Sequence, residues 1–195
     1  WPSQRFGGPA DGKMVALTFD DGPSVYTPQM LAILNRYGAH ATFFEIGRQV
    51  GPLAATSRAV IRAGDVIGNH TWSHPDLTPQ NTAAQVRPTQ AAIYRASGFR
   101  PCLLRPPYGI APAGVVGIVR SLGLLTIQWD VDPADWSRPG AAVIDERVLR
   151  AVRPGSIVIM HDGGGDRSET VQALGTMVPT LLSRGYHLVT VPQLL

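Results

Sequence analysis

The sequence has one cysteine and a low proportion of charged residues. Cys102 is the only cysteine among 195 residues, so no disulfide can form within the chain, and we interpret it as a small buried apolar residue. Charged residues make up 16% of the chain, below the usual quarter. The arginines are scattered, without a run or interleaved aromatics. The net charge of +3 therefore predicts no nucleic-acid partner but suits a neutral or anionic polymer.

The sequence also lacks a hydrophobic run long enough to cross a membrane. Arg120 interrupts the best candidate, residues 115–129, and a spanning helix needs about 20 apolar residues. The chain begins at Trp1 and shows no signal peptide, so we interpret it as a processed form or an excised domain. Its length suits one domain with a sizeable core. Since no linker or repeat divides it, we expect a single domain over residues 1–195, and we expect a monomer.

Short apolar runs alternate with amphipathic helical patterns after an irregular lead-in over residues 1–12. We predict seven strands, near residues 14–19, 41–44, 66–69, 103–104, 124–129, 156–160 and 187–190. We predict helices over residues 27–38, 50–63, 78–98, 113–122, 141–151 and 168–184. This alternation predicts a parallel sheet with crossover helices. The continuous apolar character of the strands favours a closed or nearly closed barrel, with a doubly wound open sheet as the alternative.

Polar side chains stand at the points where the predicted strands end. Two adjacent carboxylates, Asp20 and Asp21, follow the first strand, which Gly22 and Pro23 then break. Corresponding positions after later strands hold His70, Arg105, the segment 130–135 and His161. In parallel α/β folds the functional site forms at the carboxyl ends of the strands. We therefore expect these groups to converge at one mouth, although they are far apart in sequence.

A metal site is indicated by two histidines and one carboxylate. His70 and His74 are four positions apart, so one helical turn or a tight loop can direct both imidazoles to one ion. This spacing alone is weak evidence. Asp21 adds a ligand from another strand end, and the resulting set leaves coordination positions open, as catalytic zinc requires. The same ligands could hold cobalt, iron or nickel.

The remaining polar residues suit acid–base chemistry. Asp20 would lie beside the metal without ligating it, where a carboxylate can take a proton from bound water. Arg105 can orient this carboxylate, although it could also be an ordinary surface arginine. His161 can act as a general acid on the opposite side, with Asp135 raising its pKa and fixing its ring. The alternative for His161 is a histidine at the edge of the core with a satisfied hydrogen bond.

Five motifs of the sequence resemble those of NodB-type polysaccharide deacetylases, which form carbohydrate esterase family 4. In chain order they are Thr18-Phe19-Asp20-Asp21-Gly22-Pro23, His70-Thr71-Trp72-Ser73-His74, Arg105-Pro106-Pro107-Tyr108-Gly109, Asp132-Pro133-Ala134-Asp135-Trp136 and Ile159-Met160-His161-Asp162. Each motif alone is weak evidence, but together they are specific and extend across nearly the whole chain. Ile159 stands where the family usually has leucine, and no catalytic position departs from the pattern.

The resemblance implies a distorted (β/α)7 barrel that hydrolyses N- or O-acetyl groups on glycans, with metal-activated water attacking the acetyl carbonyl. It implies one divalent ion, Zn²⁺ or alternatively Co²⁺. The resemblance implies that Asp20 is the base and is tethered by Arg105, and that the metal ligands are Asp21, His70 and His74. It implies that the Tyr108 backbone N–H stabilises the oxyanion and that His161 is the acid, with Asp135 behind it. It also implies that Trp136 and Ile159 form the walls of the acetyl pocket.

We therefore predict a deacetylase of a β-1,4-linked N-acetylated glycan, of the chitin, chito-oligosaccharide or peptidoglycan type, that is secreted or associated with the cell wall. The alternative is an acetylxylan esterase, which would use the same residues with an oxygen leaving group. A glycan-binding module with a vestigial site is disfavoured, because binding alone needs no metal ligands, base or acid. An unrelated metallohydrolase on a similar barrel would not release acetate.

Overall fold

Strands and helices alternate along the chain, of which a computed structural model describes residues 4–10 and 12–195. The strands are β1 (Gln4–Arg5), β2 (Met14–Gly22), β3 (Ala41–Glu45), β4 (Val66–Asn69), β5 (Leu103–Leu104), β6 (Leu125–Ile127), β7 (Ile157–His161) and β8 (His187–Leu188). The helices are α1 (Thr27–Arg36), α2 (Gly47–Val50), α3 (Ala54–Arg62), α4 (Thr82–Ser97), α5 (Ala113–Ser121), α6 (Ala141–Ala151), α7 (Ser168–Ser183) and α8 (Val191–Leu194).

One parallel sheet runs through the molecule in the order β1-β6-β5-β4-β3-β2-β7, and β8 pairs with the start of β2. β2 lies between β3 and β7 and pairs with both of them in parallel. This register places Asp20 beside Phe44 of β3 and His161 of β7. The acidic pair therefore lies at the carboxyl end of the sheet, next to the strand that carries His161.

The sheet closes into a barrel through the segment that follows β6. The Val131 N–H donates to the Ile157 carbonyl (3.3 Å), and the Ile159 N–H donates to the Val131 carbonyl (2.9 Å). Asp130, expected at the mouth, instead accepts hydrogen bonds from the Ile157 N–H (2.7 Å) and the Ser156 hydroxyl (3.0 Å). These bonds join the continuation of β6 to β7, the last strand at the other side of the sheet. The predicted distorted (β/α)7 barrel is confirmed.

Alternate residues of β2 face two different hydrophobic layers. Val15, Leu17 and Phe19 pack in the main core, together with buried residues of the surrounding helices. Ala16 belongs to a second cluster, built from the strands and α8. Because successive side chains of a strand point to opposite faces, Asp20 faces the same side as Ala16. The alternation along β2 therefore points the Asp20 side chain into the barrel interior, at the open end of the barrel.

The structure corrects the predicted starts of two helices. The predicted helix over residues 50–63 is two helices, α2 and α3, with Pro52 between them. The predicted helix from residue 78 begins only at Thr82, because the Thr78 carbonyl accepts the N–H groups of Asn81 (3.2 Å) and Thr82 (3.0 Å) in a preceding turn. A threonine followed by proline marked a turn there and not a helix cap.

The two ends of the chain and Cys102 also differ from expectation. β1 lies in the predicted irregular lead-in, whose residues 1–3 and 11 fall outside the described residues. The last predicted strand is short because Thr190 and Gln193 form a capping box that begins α8. Cys102 is exposed, so the expectation of a buried cysteine is wrong. It alternates with the buried Leu103 as β5 begins.

Candidate active site

The polar residues that follow the strands line one pocket of about 480 Å³ at the carboxyl end of the barrel. Its walls include most of the site residues predicted from the sequence: Asp20, Asp21, His70, His74, Tyr108, Trp136, Ile159 and His161. The other two, Arg105 and Asp135, are buried directly behind this wall, where each bonds to a residue that lines it. The barrel therefore brings all the predicted site residues together.

Three side chains at one side of the pocket can hold a metal ion. The Asp21 Oδ1 atom lies 3.5 Å from His70 Nε2 and 3.3 Å from His74 Nε2, and one donor atom from each residue lies within 4.8 Å of the others. Among the described residues, the buried Asp21 Oδ1 atom has no hydrogen-bond partner. A buried carboxylate oxygen facing two imidazole nitrogens suits a divalent cation such as Zn²⁺.

The charge state of Asp21 also suits a ligand. Burial opposes its ionisation, but the imidazole of His70, 3.5 Å away, and the positive charges of the surrounding histidines outweigh burial and lower its pKa to about 2. Asp21 is therefore a carboxylate at any pH at which the protein would work.

The tautomer of His70 is fixed by the strand next to it. His70 Nδ1 lies 2.8 Å from the Arg105 carbonyl oxygen, and a carbonyl only accepts, so Nδ1 carries the proton. The neutral ring then offers the Nε2 lone pair to the pocket. His74 Nδ1 lies 3.3 Å from the Tyr108 hydroxyl, with Nε2 toward Asp21. Each imidazole thus has a partner behind it and its other nitrogen in the pocket.

Two amide side chains that the sequence analysis did not select hold the histidine loop. Gln85 Oε1 on α4 accepts the N–H groups of Trp72 (2.9 Å) and Ser73 (3.0 Å). Asn69 Oδ1 accepts the Thr71 N–H (2.9 Å). Asn69 directly precedes His70 at a strand end and could have been suspected, whereas nothing in the sequence links Gln85 to this loop.

Backbone strain is concentrated at the same pocket. Five non-glycine residues there or in the loops behind it have positive φ: Asp21 (72°), Thr71 (66°), His74 (64°), Tyr108 (58°) and Ala134 (54°). Such conformations cost free energy and persist only where the surrounding structure imposes them.

The backbone N–H of Tyr108 has no hydrogen-bond acceptor among the described residues, whereas the N–H groups of Gly109 and Ile110 donate to the Pro106 and Pro107 carbonyls.

The Asp20 carboxylate is held by a fully buried arginine. Arg105 Nη1 donates to Asp20 Oδ1 (2.8 Å) and to the Thr18 hydroxyl (2.7 Å), and Nη2 donates to the Gln128 carbonyl (3.1 Å). The Arg105 guanidinium also lies over the Phe44 ring, 4.2 Å from its centroid. The second oxygen, Asp20 Oδ2, is 3.8 Å from His70 Nε2. One oxygen is therefore neutralised and oriented, and the other stays beside the three candidate ligands.

His161 is oriented by Asp135, which is buried behind the pocket wall. Asp135 Oδ1 lies 2.7 Å from His161 Nδ1, and Asp135 Oδ2 accepts the His161 N–H (2.8 Å) and the Thr170 hydroxyl (2.9 Å). The carboxylate accepts from Nδ1, which leaves Nε2 to face the pocket. Burial lowers the pKa of His161, but the hydrogen bond and charge of Asp135 outweigh it and raise the pKa overall.

The glycines after His161 are required by the close approach of Asp21. A Cβ at Gly163 would lie 1.9 Å from the Asp21 carbonyl oxygen, and one at Gly164 would lie 2.5 Å from Asp21 Oδ2. The buried Arg167 ties this loop down by donating from Nε to the Gly163 carbonyl (2.7 Å). The run of glycines was visible in the sequence and could have pointed to this packing, but Arg167 could not have been found.

The chain belongs to the polysaccharide deacetylase family. The sequence profile of that family matches residues 7–127. The chain is 39% identical to a peptidoglycan-N-acetylglucosamine deacetylase of Bacillus cereus over 96% of its own length and 90% of that protein. It is 38% identical to a chitooligosaccharide deacetylase of Bradyrhizobium, over 98% of the chain and 94% of that protein.

A structural relative shows that this fold does not by itself carry activity. BA3943 of Bacillus anthracis, described as a CE4 family pseudoenzyme, matches with a TM-score of 0.92 and 33% identity over 100% of this chain and 69% of its own. Any statement about the chemistry of the present chain must therefore rest on its own pocket. Among the described residues, no helix combines the length and apolar character that crossing a membrane requires.

Proposed function

We propose that this chain is a metal-dependent deacetylase that hydrolyses the N-acetyl groups of a β-1,4-linked glycan of the chitin or peptidoglycan type. One observation supports this above all. A candidate ligand set, a carboxylate held by a separate arginine, and a histidine held by a separate carboxylate all face one pocket. A protein that only binds glycans needs none of these arrangements.

The ligands in this proposal are Asp21, His70 and His74. A divalent ion held there, Zn²⁺ or Co²⁺, would supply Lewis acidity that polarises a carbonyl and lowers the pKa of water. His70 serves as a ligand because its Nδ1 proton is committed to the Arg105 carbonyl. The carboxylate of Asp21 reduces the net positive charge of the site.

Asp20 is assigned the role of general base. Its Oδ1 is occupied by Arg105 at 2.8 Å, so Oδ2 is the atom that takes a proton from the attacking water. Arg105 also keeps Asp20 from turning toward the ion as a fourth ligand, since rotation would break a buried charge-assisted hydrogen bond.

The other residues of the pocket are assigned to the oxyanion, the leaving group and the acetyl methyl group. The unbonded Tyr108 N–H can donate to the oxygen of the tetrahedral intermediate. His161, whose Nδ1 is held by Asp135, delivers a proton from Nε2 to the departing nitrogen. Ile159 and Trp136 form apolar walls for the acetyl methyl group. Trp136 is 59% exposed and offers a ring face to the sugar.

The substrate class is supported by the relatives, whose names specify peptidoglycan and chito-oligosaccharide. These polymers share an acetamide on a β-1,4-linked sugar ring. Peptidoglycan is an extracellular polymer, so a secreted or wall-associated location goes with this assignment. We also propose that the chain is one catalytic domain over residues 1–195 and works as a monomer.

Acetate release from a panel of substrates tests the proposal. N-acetylated chito-oligosaccharides, peptidoglycan and acetylxylan would be compared at equal acetyl concentration, with the glycan products identified by mass spectrometry. We expect acetate and free amine from one or both of the N-acetylated glycans. Release from acetylxylan alone would assign the chain as an O-acetyl esterase instead. No acetate from any substrate with metal-loaded protein would contradict the proposal and favour a binding module.

A further inference from the structure

One stretch of the chain has a marked excess of positive charge. Residues 46–101 contain six arginines and two aspartates, a balance of +4 that exceeds the net charge of +3 of the whole chain. Asp65 is buried and accepts the Ala41 N–H (2.8 Å), and Asp76 lines neither groove described below. The part of the surface formed by α2, α3 and α4 is therefore strongly basic.

Five of these arginines form a continuous surface around α4. A groove of about 350 Å³ on one side of α4 is lined by Arg48, Arg58 and Arg95. A groove of about 640 Å³ on the other side is lined by Arg87, Arg95 and Arg100. Arg95 lines both, and all five side chains are exposed. We refer to this set of five residues as the arginine surface.

The guanidinium groups of the arginine surface have no anionic partner among the described residues. The arginine–carboxylate pairs between described residues, such as those of Arg105 and Arg153, involve none of these five arginines. Arg58 donates to the Ala96 carbonyl (3.0 Å), and Arg100 lies over the Tyr94 ring at 4.0 Å. Five like charges around one helix repel each other and attract anions. The arrangement therefore suits a ligand with several negative charges.

We propose that the arginine surface binds a polyanion with a phosphodiester in every repeat, a polyol phosphate polymer. Guanidinium forks bind the oxygens of phosphate in pairs. The two oxygens of a carboxylate lie in one plane and open to one edge. The free oxygens of a phosphodiester point in more directions, so guanidinium groups on both sides of α4 can bind the same phosphodiester. Arg87 and Arg95 are eight residues apart on one helix, about 12 Å along its axis, which a flexible chain of charged repeats can span.

A nucleic acid fits this surface less well. Proteins that bind single strands stack the bases on exposed aromatic rings. The exposed aromatic ring in the two grooves is that of Tyr94, and the Arg100 guanidinium already covers it at 4.0 Å. Trp72 lines the smaller groove but is partly buried. The surface thus offers charge without a platform for bases.

The arginine surface is separate from the catalytic pocket but lies close to it. The two share no lining residue. Trp72, which stands between His70 and His74 in the chain, lines the smaller groove. A polymer bound there would hold the protein against a polyanionic matrix and raise the local concentration of any glycan in it. Binding is measurable without a glycan, so its failure is distinguishable from failure of the proposed catalytic function.

Two variants with equal change in charge test this proposal. R87Q/R95Q removes two arginines of the surface whose side chains form no hydrogen bond or ion pair with any described residue. R120Q/R150Q removes two exposed arginines from α5 and α6 and serves as the matched control. Binding of poly(glycerol phosphate) would be titrated at several salt concentrations. A single-stranded DNA oligomer and polygalacturonate of equal charge would serve as the other ligands.

The wild type should bind poly(glycerol phosphate) in preference to the other two polyanions. The slope of log K against log salt concentration should be about −3.5 for the wild type, which makes five contacts with phosphate. It should be about −2 for R87Q/R95Q, which keeps three of these contacts. R87Q/R95Q should weaken binding roughly 5-fold or more, the scale of two exposed ion pairs. The control should bind like wild type, and both variants should keep wild-type turnover of a short chito-oligosaccharide. The proposal would be overturned if R87Q/R95Q bound as tightly as the wild type, or if the control lost as much affinity as R87Q/R95Q. It would also be overturned if the wild type bound DNA or polygalacturonate as tightly as poly(glycerol phosphate) or more tightly.

Discussion

Replacement of His161 tests the assignment of a general acid, because an amide and an activated ester need different help at the leaving group. Hydrolysis of an acetamide ends with expulsion of an amine, which must receive a proton as the C–N bond breaks. A nitrophenolate leaves readily without a proton. H161A should therefore damage the hydrolysis of a chito-oligosaccharide far more than that of 4-nitrophenyl acetate.

The geometry around His161 sets the size and the pH dependence of this effect. Its Nδ1 atom is held by Asp135 at 2.7 Å, so Nε2 is a positioned acid, and loss of such a group costs roughly 10²- to 10⁴-fold. Asp135 outweighs the effect of burial and raises the pKa of His161. The acid form exists below that pKa, so activity should fall as pH rises through it. D135N removes the raising contribution and should move this alkaline limb to lower pH.

The measurement is kcat/KM for both substrates as a function of pH, with metal content determined for each protein. H187A provides the control, because His187 lies exposed at the start of β8. Its pH profiles should match those of the wild type. Equal losses on amide and ester in H161A would refute the reasoning, since His161 would then act before the leaving step. An unshifted alkaline limb in D135N would separate that limb from His161.

Three further predictions concern the base, the glycine loop and the buried arginine. D20N should keep the metal content near wild type and lower kcat by roughly 10²-fold or more, and loss of the ion would instead make Asp20 a ligand. G163A places a Cβ 1.9 Å from the Asp21 carbonyl and should cost about 1–3 kcal/mol in urea unfolding, whereas G117A, with nothing within 4 Å, should not destabilise. R105M should lower the free energy of unfolding by roughly 3–5 kcal/mol, because it leaves the buried Asp20 carboxylate unpaired. R153M, at the exposed pair with Asp130, should lower it by at most about 1 kcal/mol. Equal effects of the two substitutions would contradict the argument from burial.

The barrel and the position of its mouth could be predicted because they depend on local patterns. Apolar runs of strand length ended at the unusual polar residues, and the carboxyl ends of parallel strands share one edge. The same logic misplaced Asp130, which follows β6 but bonds to the Ile157 N–H and the Ser156 hydroxyl. Position after a strand gives the edge of the sheet on which a side chain lies but not the direction in which it points.

The features that could not be predicted depend on contacts between distant segments. Gln85 holds the histidine loop from a helix whose sequence shows only ordinary helical patterning. The arginine surface is spread from Arg48 to Arg100, so no run of charge appears in the sequence, and only the packing of α4 between two grooves brings its members together. The start of α4 was misplaced because the Thr78 turn and a helix cap share the same residue types.

The most direct test of the account is turnover as a function of metal occupancy. Protein stripped of metal would be titrated with Zn²⁺, and acetate release from an N-acetylated chito-oligosaccharide would be measured together with the number of bound ions per chain. The account predicts that turnover rises with metal occupancy and saturates at one ion per chain. H74A lacks one of the three grouped ligands, so it should bind the ion more weakly and lose turnover in proportion. Full turnover in protein without metal, or H74A with unchanged affinity for the ion, would contradict it.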